Sequence, residues 1–548
     1  MKKGSQFIIG IFICVAVIGI SYVWLTALID SVYAYRSPLH NSPPVPGKAL
    51  GDPNTRSVVI VLVDGLRYDT SLDSNVMPFL NQLRIAGASS LMHSRAPSYS
   101  VVSYTTLLTG AWADISDGPA ITTEFDDIPA FTQDDIFSAA HRANLSTAIS
   151  GFNWFEKLVP QSAVYASFYT AGEDQVADRQ VTDAALPWLR EGKYGLMLIH
   201  LDQVDYAGHY EGGPYDPRWD AAANRVDGLI DEIALAMDLT KDTLLVVSDH
   251  GHINQGGNGG QDAITLLEPF VMAGEGVVPG KYNDVQLVDV APTVAAILGL
   301  NIPATNQGHV HYEMFDFSLA QVDEIKNALS SQQEQLARVY QDSIGQPVSI
   351  KQSSDIVSAT QAGMTAARTT RLNSVRILRG AFGLVFLIVV INLAAWRARP
   401  NYTWMLAGVV TYLVVFNIKY LLIDRKSYSL SSVHDLMVLL TNTMMTTVIA
   451  LFVAWLLALL GTKSYQLKPR KAADATLSFI LVTLSILSIP IAVHFALNGP
   501  TVTWTLPDYL TSFLGLLFLL QSLIVAGMGL FLIALSALIG VFAHQRSY

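Results

Sequence analysis

Where the long apolar runs fall constrains this 548-residue chain more than any other feature. Phe7 to Ile29 is an uninterrupted apolar stretch behind Lys2 and Lys3. Five more follow late in the chain: Ile377 to Ala395, Met405 to Ile423, Leu436 to Leu460, Phe479 to Leu497 and Leu510 to Phe542. About 20 apolar residues cross a bilayer, whereas a cleavable signal core runs to roughly 7–15. The first run therefore reads as an uncleaved signal anchor, and the chain as an integral membrane protein with about six spans. Alternating sides from a cytoplasmic N-terminus puts Arg397, Arg399, Lys463, Lys468, Arg470, Lys471 and Arg546 inside, as the positive-inside rule expects. It puts Arg376, Arg379, Arg425, Lys426 and the long segment between the first and second spans outside, a periplasmic, extracellular or lumenal location. The last span carries Gly527 and Gly529, where a tilt or break is expected.

The composition divides the chain further. Residues 1–36 form the anchor, Pro-rich residues 37–55 a linker, 56–318 a polar domain, 319–375 a helical stalk and 376–548 a membrane domain of about five helices. Within 56–318, Val58 to Val63, Gly195 to Leu201 and Leu244 to Val247 are short β-rich apolar runs, as strands buried on both faces should be. Helical patterns such as Met77 to Ala86 and Ala221 to Met237 lie between them, so the expected fold is α/β, a mostly parallel sheet flanked by helices. Ala320 to Tyr340 and Ser354 to Leu372 read as the amphipathic helices of the stalk. A net charge of -11 argues against a nucleic acid polymer as partner. The single cysteine, Cys14, leaves no disulfide framework and no thiolate metal site, so a metal would be held by Asp, His and hydroxyl oxygens.

Three strings carry those residue types. They are Val61-Leu62-Val63-Asp64-Gly65, Asp205-Tyr206-Ala207-Gly208-His209 and Ser248-Asp249-His250-Gly251-His252. Taken alone, Asp64 before Gly65 reads equally well as a turn or helix cap. But Asp64 and Asp249 each follow a buried strand, and open α/β sheets hold ligands beyond the carboxyl ends of their strands. Two such acids facing one crevice repel unless a cation lies between them. Asp205 and His209, four apart, share one face of a helix or tight turn. A fourth segment, Pro97 to Gly110, is crowded with hydroxyls, and a hydroxyl at a helix N-terminus beside a metal is a good nucleophile.

Together these residues resemble the alkaline phosphatase superfamily, in particular its branch of nucleotide pyrophosphatase/phosphodiesterases and glycosylphosphatidylinositol ethanolamine-phosphate transferases. His200 to His209, Ser248-Asp249-His250-Gly251, and Asp289-Val290-Ala291-Pro292-Thr293 leading into Leu298 to Pro303 look most like the transferases. The resemblance covers roughly Arg56 to Gly308 and implies a two-metal site, usually zinc, with manganese the alternative. It assigns one ion to Asp64, the nucleophile, Asp249 and His250, and the second to Asp205, His209 and a third ligand, normally His. In the pattern Pro-Thr-x-Thr/Ser the nucleophile is the fourth position, Ser100 here, with Ser98 the runner-up. Ser103 falls where diesterase relatives place an Asn that touches the phosphoryl oxygens. The chain departs from the family at Gly256-Gly257-Asn258-Gly259-Gly260, where Asn258 stands in the usual His position. The amide suits harder ions than zinc, and His252, His309 and His311 are the candidate replacements. The resemblance thus implies a metal-dependent phosphotransferase or phosphodiesterase acting on phosphodiester or phosphoethanolamine substrates, lipid-linked, through a covalent Ser intermediate. Its rivals are a tethered nucleotide pyrophosphatase for soluble esters and a metal-depleted pseudoenzyme that binds or scaffolds.

Overall fold

A computed structural model describes residues 3–433, 436–463 and 468–545, so Lys2 and Arg546 of the topology argument lie outside the described residues. Among the described residues nine strands form one sheet: β1 (Ser57–Val63), β2 (Ala88–His93), β3 (Thr147–Phe152), β4 (Ala166–Thr170), β5 (Leu196–Leu201), β6 (Asp242–Val247), β7 (Leu267–Gly274), β8 (Gly280–Lys281) and β9 (Val285–Gln286). Their order is β4-β3-β5-β1-β6-β7-β2-β8, with β9 beside β2. All the pairings are parallel except those that β7 makes with β6 and β2. The mostly parallel α/β sheet is thus present.

Every residue of β1 is buried. Val58, Ile60 and Leu62 enter one core and Val59, Val61 and Val63 the core on the opposite face, so alternate side chains feed two helix layers. This double burial makes β1 the central strand and gives its sequence an unbroken apolar run. Its neighbours are β5 and β6, and the chain leaves β1 for β2 on one side and returns to β3 on the other. The carboxyl ends of β5, β1 and β6 therefore bound a crevice at a topological switch point.

Among the described residues six helices are long and apolar enough to cross a membrane: Ser5–Tyr33, Ile356–Ala398, Tyr402–Ile423, Leu436–Gly461, Pro469–Asn498 and Tyr509–Ala543. The last runs through Gly527 and Gly529 without the expected break. The first span packs on it through Leu25, Leu519 and Leu520.

Three segments differ from the sequence reading. The second stalk helix and the first C-terminal span are one 43-residue helix, Ile356–Ala398. At 1.5 Å per residue it reaches about twice the ~30 Å hydrocarbon thickness, so half of it stands beside the polar domain. The preceding helix, Leu319–Ile344, is no free stalk, because Ile325, Leu329, Leu336 and Tyr340 are buried against that domain. Nor is 37–55 a loose linker: Leu39 and Leu50 are buried, and Asp117 accepts from the Ser37 backbone N–H at 2.5 Å and pairs with His40 at 2.6 Å.

Candidate active site and metal centre

Asp64 directly follows β1, Asp205 and His209 sit on the helix Gln203–Tyr210 after β5, and Asp249, His250 and His252 follow β6. Ser100 opens the helix Ser100–Thr109, whose positive end faces the crevice. Its Oγ lies 3.0 Å from His250 Nε2 and 3.5 Å from Asp64 Oδ1. His250 Nε2 is also 3.2 Å from Asp64 Oδ1, 3.4 Å from Asp249 Oδ2 and 3.8 Å from Asp205 Oδ1. His209 Nε2 stands 3.5 Å from Asp205 Oδ2. Asp64, Asp249 and His250 form one compact group of potential ligands, and Asp205, His250 and His252 an overlapping one.

Three observations bear on whether cations fit here. Asp249 Oδ2 is fully buried and accepts no hydrogen bond among the described residues. Burial and the neighbouring Asp64 charge push the Asp249 carboxyl well above the usual range. Burial alone would lower His250, but Asp249 and Asp64 overrule it and raise the imidazole to about 10. Protein charges by themselves leave the Asp249 carboxyl poorly compensated; a divalent cation restores the balance. Oxygen and imidazole donors at this spacing fit zinc or manganese.

Of the two serines weighed as nucleophile, Ser98 is committed to structure. It is buried, accepts from the Gly259 backbone N–H at 3.0 Å and donates to the Gly260 carbonyl at 3.3 Å. Ser100 lines an open cavity instead. Ser103 is buried one turn along the same helix, and that cavity's lining does not include it.

The stretch that departs from the family pattern folds back onto the site. Asn258 Nδ2 lies 2.6 Å from His250 Nε2, a contact that two nitrogens make well only if the imidazole accepts or the amide is turned. Oxygen and nitrogen of an amide are assigned rather than seen, so its carbonyl oxygen can equally face the ligand cluster. His252 comes to Asp205, with its Nε2 2.7 Å from Asp205 Oδ1. Its Nδ1 accepts from the Gly257 N–H at 2.8 Å, which fixes the neutral tautomer with the proton on Nε2. Burial favours that neutral form, pushing the imidazole down to about 4. In this arrangement His252 donates to Asp205 and orients it, and has no free lone pair for a metal. A side chain at Gly208 would meet the His252 ring at 2.3 Å, so glycine there makes the slot.

His309 does not join the cluster, which corrects its expected role as a ligand. Its Nε2 is 3.1 Å from Asp355 and its Nδ1 3.7 Å from Asp289, and the bond to Asp289 raises it. His311 pairs with the same Asp289 at 2.8 Å. His309 thus ties the 289–311 segment to the residue before the helix that begins at Ile356, while His311 holds Asp289 and Glu313 together.

Four further residues belong to the site. His200 Nε2 lies 3.0 Å from Asp64 Oδ2 and 2.9 Å from the Tyr104 hydroxyl, which also donates to Asp64. Asp202 groups with Asp64 and His200. Glu173 lines the cavity, where burial, Asp205 and Asp64 push its carboxyl up to about 7. The sequence signal for His200 was a lone imidazole at the penultimate position of an apolar strand.

The cavity holds about 410 Å³. Ser100, Asp205, His209 and Asn258 line one part; Leu28, Val32, Leu439, Phe513 and Leu516 of three membrane helices line another. A loop of the membrane domain closes onto the site. Ser431 Oγ accepts from the Gly260 N–H at 3.0 Å, and Gln261 donates to the Tyr428 carbonyl at 3.2 Å. A side chain at Gly260 would strike Ser429 at 1.9 Å, so this close approach needs glycine.

A profile of the family described as type I phosphodiesterase / nucleotide pyrophosphatase matches residues 58–115 and 124–379, more than half of the chain. Similar curated proteins include GPI ethanolamine phosphate transferase 3, catalytic subunit, of Mus musculus, 27% identical over 288 residues that cover 47% of this chain and 26% of the relative. GPI ethanolamine phosphate transferase 2, catalytic subunit, of Homo sapiens is 25% identical over 287 residues, covering 49% and 29%. The chain thus spans little more than a quarter of these relatives' length. Among solved structures, human ectonucleotide pyrophosphatase / phosphodiesterase 5 aligns with a TM-score of 0.38 at 13% identity, covering 44% of this chain and 95% of that one.

Proposed function

The chain belongs to the type I phosphodiesterase / nucleotide pyrophosphatase family, and from that premise we propose that it is a membrane-embedded phosphotransferase. It moves phosphoethanolamine, or a closely related phosphodiester-linked group, from a lipid-linked donor through a covalent ester on Ser100. The observation that carries this reading is the single cavity shared by Ser100 and three membrane helices. A tethered enzyme for soluble nucleotides has no use for the apolar half of that cavity. The catalytic domain lies on the extracytoplasmic side.

Asp64, Ser100, Asp249 and His250 would hold one divalent cation, and Asp205, His209 and the Asn258 amide the second. When bound, such ions, zinc first, lower the charge on attacking and leaving oxygens in an in-line displacement. The chain's own groups do the rest. His200 and Tyr104 fix Asp64, and His252 fixes Asp205. Ser100 Oγ forms a bond to phosphorus as the P–O bond to the lipid breaks and the lipid alcohol leaves with a proton. An acceptor hydroxyl or water then attacks the phosphoseryl ester, and Ser100 leaves reprotonated. Glu173, on the cavity wall, would receive the donor's ammonium group. Pre-placing the donor beside Ser100 converts a bimolecular encounter into a positioned one.

The test uses full-length protein in vesicles containing phosphatidylethanolamine, with diacylglycerol release as readout. Wild type releases diacylglycerol and Ser100→Ala does not, while its metal content stays near wild type. Equal release by Ser100→Ala, or activity restricted to soluble nucleotides, would sink the proposal.

A further inference from the structure

Beside the reaction cavity lies a second, smaller one of about 40 Å³ whose lining is basic. Arg371, Arg376 and Arg379 come to it from one helix, Ile356–Ala398, and the turn from Asn498 to Pro507 closes it. Leu28, Leu506 and Pro507 line both cavities, so they share a wall.

Among the described residues no carboxylate lines this space. Among the described residues none of the three arginines pairs with an acid, whereas Arg368, three residues earlier than Arg371, is bonded to Asp114. Arg376 donates to the Leu497 carbonyl at 2.9 Å. Arg371 donates to the Ile344 carbonyl at 3.0 Å and lies over the Trp504 ring at 4.2 Å. Arg379 packs so closely on Gly499 that a side chain there would meet its Nη1 at 2.5 Å. His494 also lines the cavity, fully buried, and its Nε2 has no hydrogen-bond partner among the described residues.

The bland role of such arginines is to anchor a helix by reaching outward to lipid headgroups. These three are half-buried and converge on a pocket. Three guanidinium groups sharing a space repel one another unless an anion joins them, and their planar forks match phosphate oxygens. We propose that this pocket binds the phosphate group of a phospholipid on the catalytic domain's side of the membrane, separate from the phosphorus that reacts at Ser100. The assignment does not rest on the phosphotransfer reading, because binding is measured without turnover.

Full-length protein purified in a neutral detergent is titrated with dioctanoyl phosphatidate, dioctanoylglycerol and inorganic phosphate, and binding is followed by thermal shift and native mass spectrometry. Phosphatidate binds and dioctanoylglycerol does not. Arg376→Gln with Arg379→Gln weakens phosphatidate about tenfold or more, the loss expected for charge-assisted bonds. Asp205→Asn and Arg425→Gln keep this binding, which separates it from the reaction centre and from net charge. Phosphate competing as well as phosphatidate would replace the lipid by a free anion and overturn the assignment. Affinity unchanged in the double variant would overturn it as well. Should that variant not fold, a photoactivatable phosphatidate on wild-type protein decides: label in 371–379 or 494–507 supports the site, and label confined elsewhere overturns it.

Discussion

Replacing His252 by Leu removes two hydrogen bonds while keeping most of the buried volume. The bond to Asp205 Oδ1, at 2.7 Å, is charge-assisted, and the other takes the Gly257 N–H at 2.8 Å. A charge-assisted bond is worth about 1.5–3 kcal/mol, or roughly ten- to a hundredfold in affinity, the range found when residues behind a metal ligand are lost. The more weakly held ion, at Asp205 and His209, should therefore loosen by about that factor, and the ion at Asp249 and His250 should not. Equilibrium dialysis against zinc, with metal counted by mass spectrometry, measures both, and a melting curve checks folding. His252→Gln, whose amide can still donate to Asp205, should recover most of the loss. Wild-type affinity in His252→Leu would refute the reasoning. A loss that Gln does not recover would mean that the ring nitrogen is itself a ligand.

Asn258→His should tighten zinc about tenfold or more in the same dialysis, because imidazole is the stronger zinc donor; unchanged affinity would mean the amide stands apart from the ions. Leu439→Trp narrows the apolar half of the cavity and should reduce turnover of a lipid donor at least about tenfold more than that of a small soluble diester. Equal losses would remove the cavity as the lipid's path. His311 is raised to about 9 by its bonds to Asp289 and Glu313, which overcome burial. Its contribution, on the order of 3 kcal/mol, is full below about pH 6.5 and fades as pH rises through 9. Wild-type melting temperature should fall across that window, and His311→Gln should flatten the fall; parallel pH profiles would count against the ion pair.

What the sequence revealed tracks how local each signal is. Val58 to Val63 is legible because a strand buried on both faces must be apolar throughout, and Asp64 stands out as the first residue that is not. Asp205 and His209 are legible through helical spacing. His200 is not, since one imidazole in a buried strand reads as core until Asp64 and Tyr104 are seen beside it. His309 is preferred to His252 as the replacement ligand, and nothing local in the chain argues against it. Only packing separates them: Gly208 opens a slot for one, and Asp289 and Asp355 hold the other. The helix Ile356–Ala398 looked like two elements because its composition changes from polar to apolar near Val375, but its backbone has no Pro or helix cap to stop it there. The burial of Leu39 and Leu50 depends on partners hundreds of residues away, among them Leu336 and Ile302, which Pro-rich spacing cannot disclose.

The most direct measurement is peptide mass spectrometry of wild-type protein quenched during turnover in phosphatidylethanolamine vesicles. A phosphoethanolamine adduct is expected on the peptide holding Ser100, lost in Ser100→Ala and discharged when an acceptor alcohol is added. Turnover with an unmodified Ser100, or an adduct on Ser98, would contradict a covalent route through Ser100.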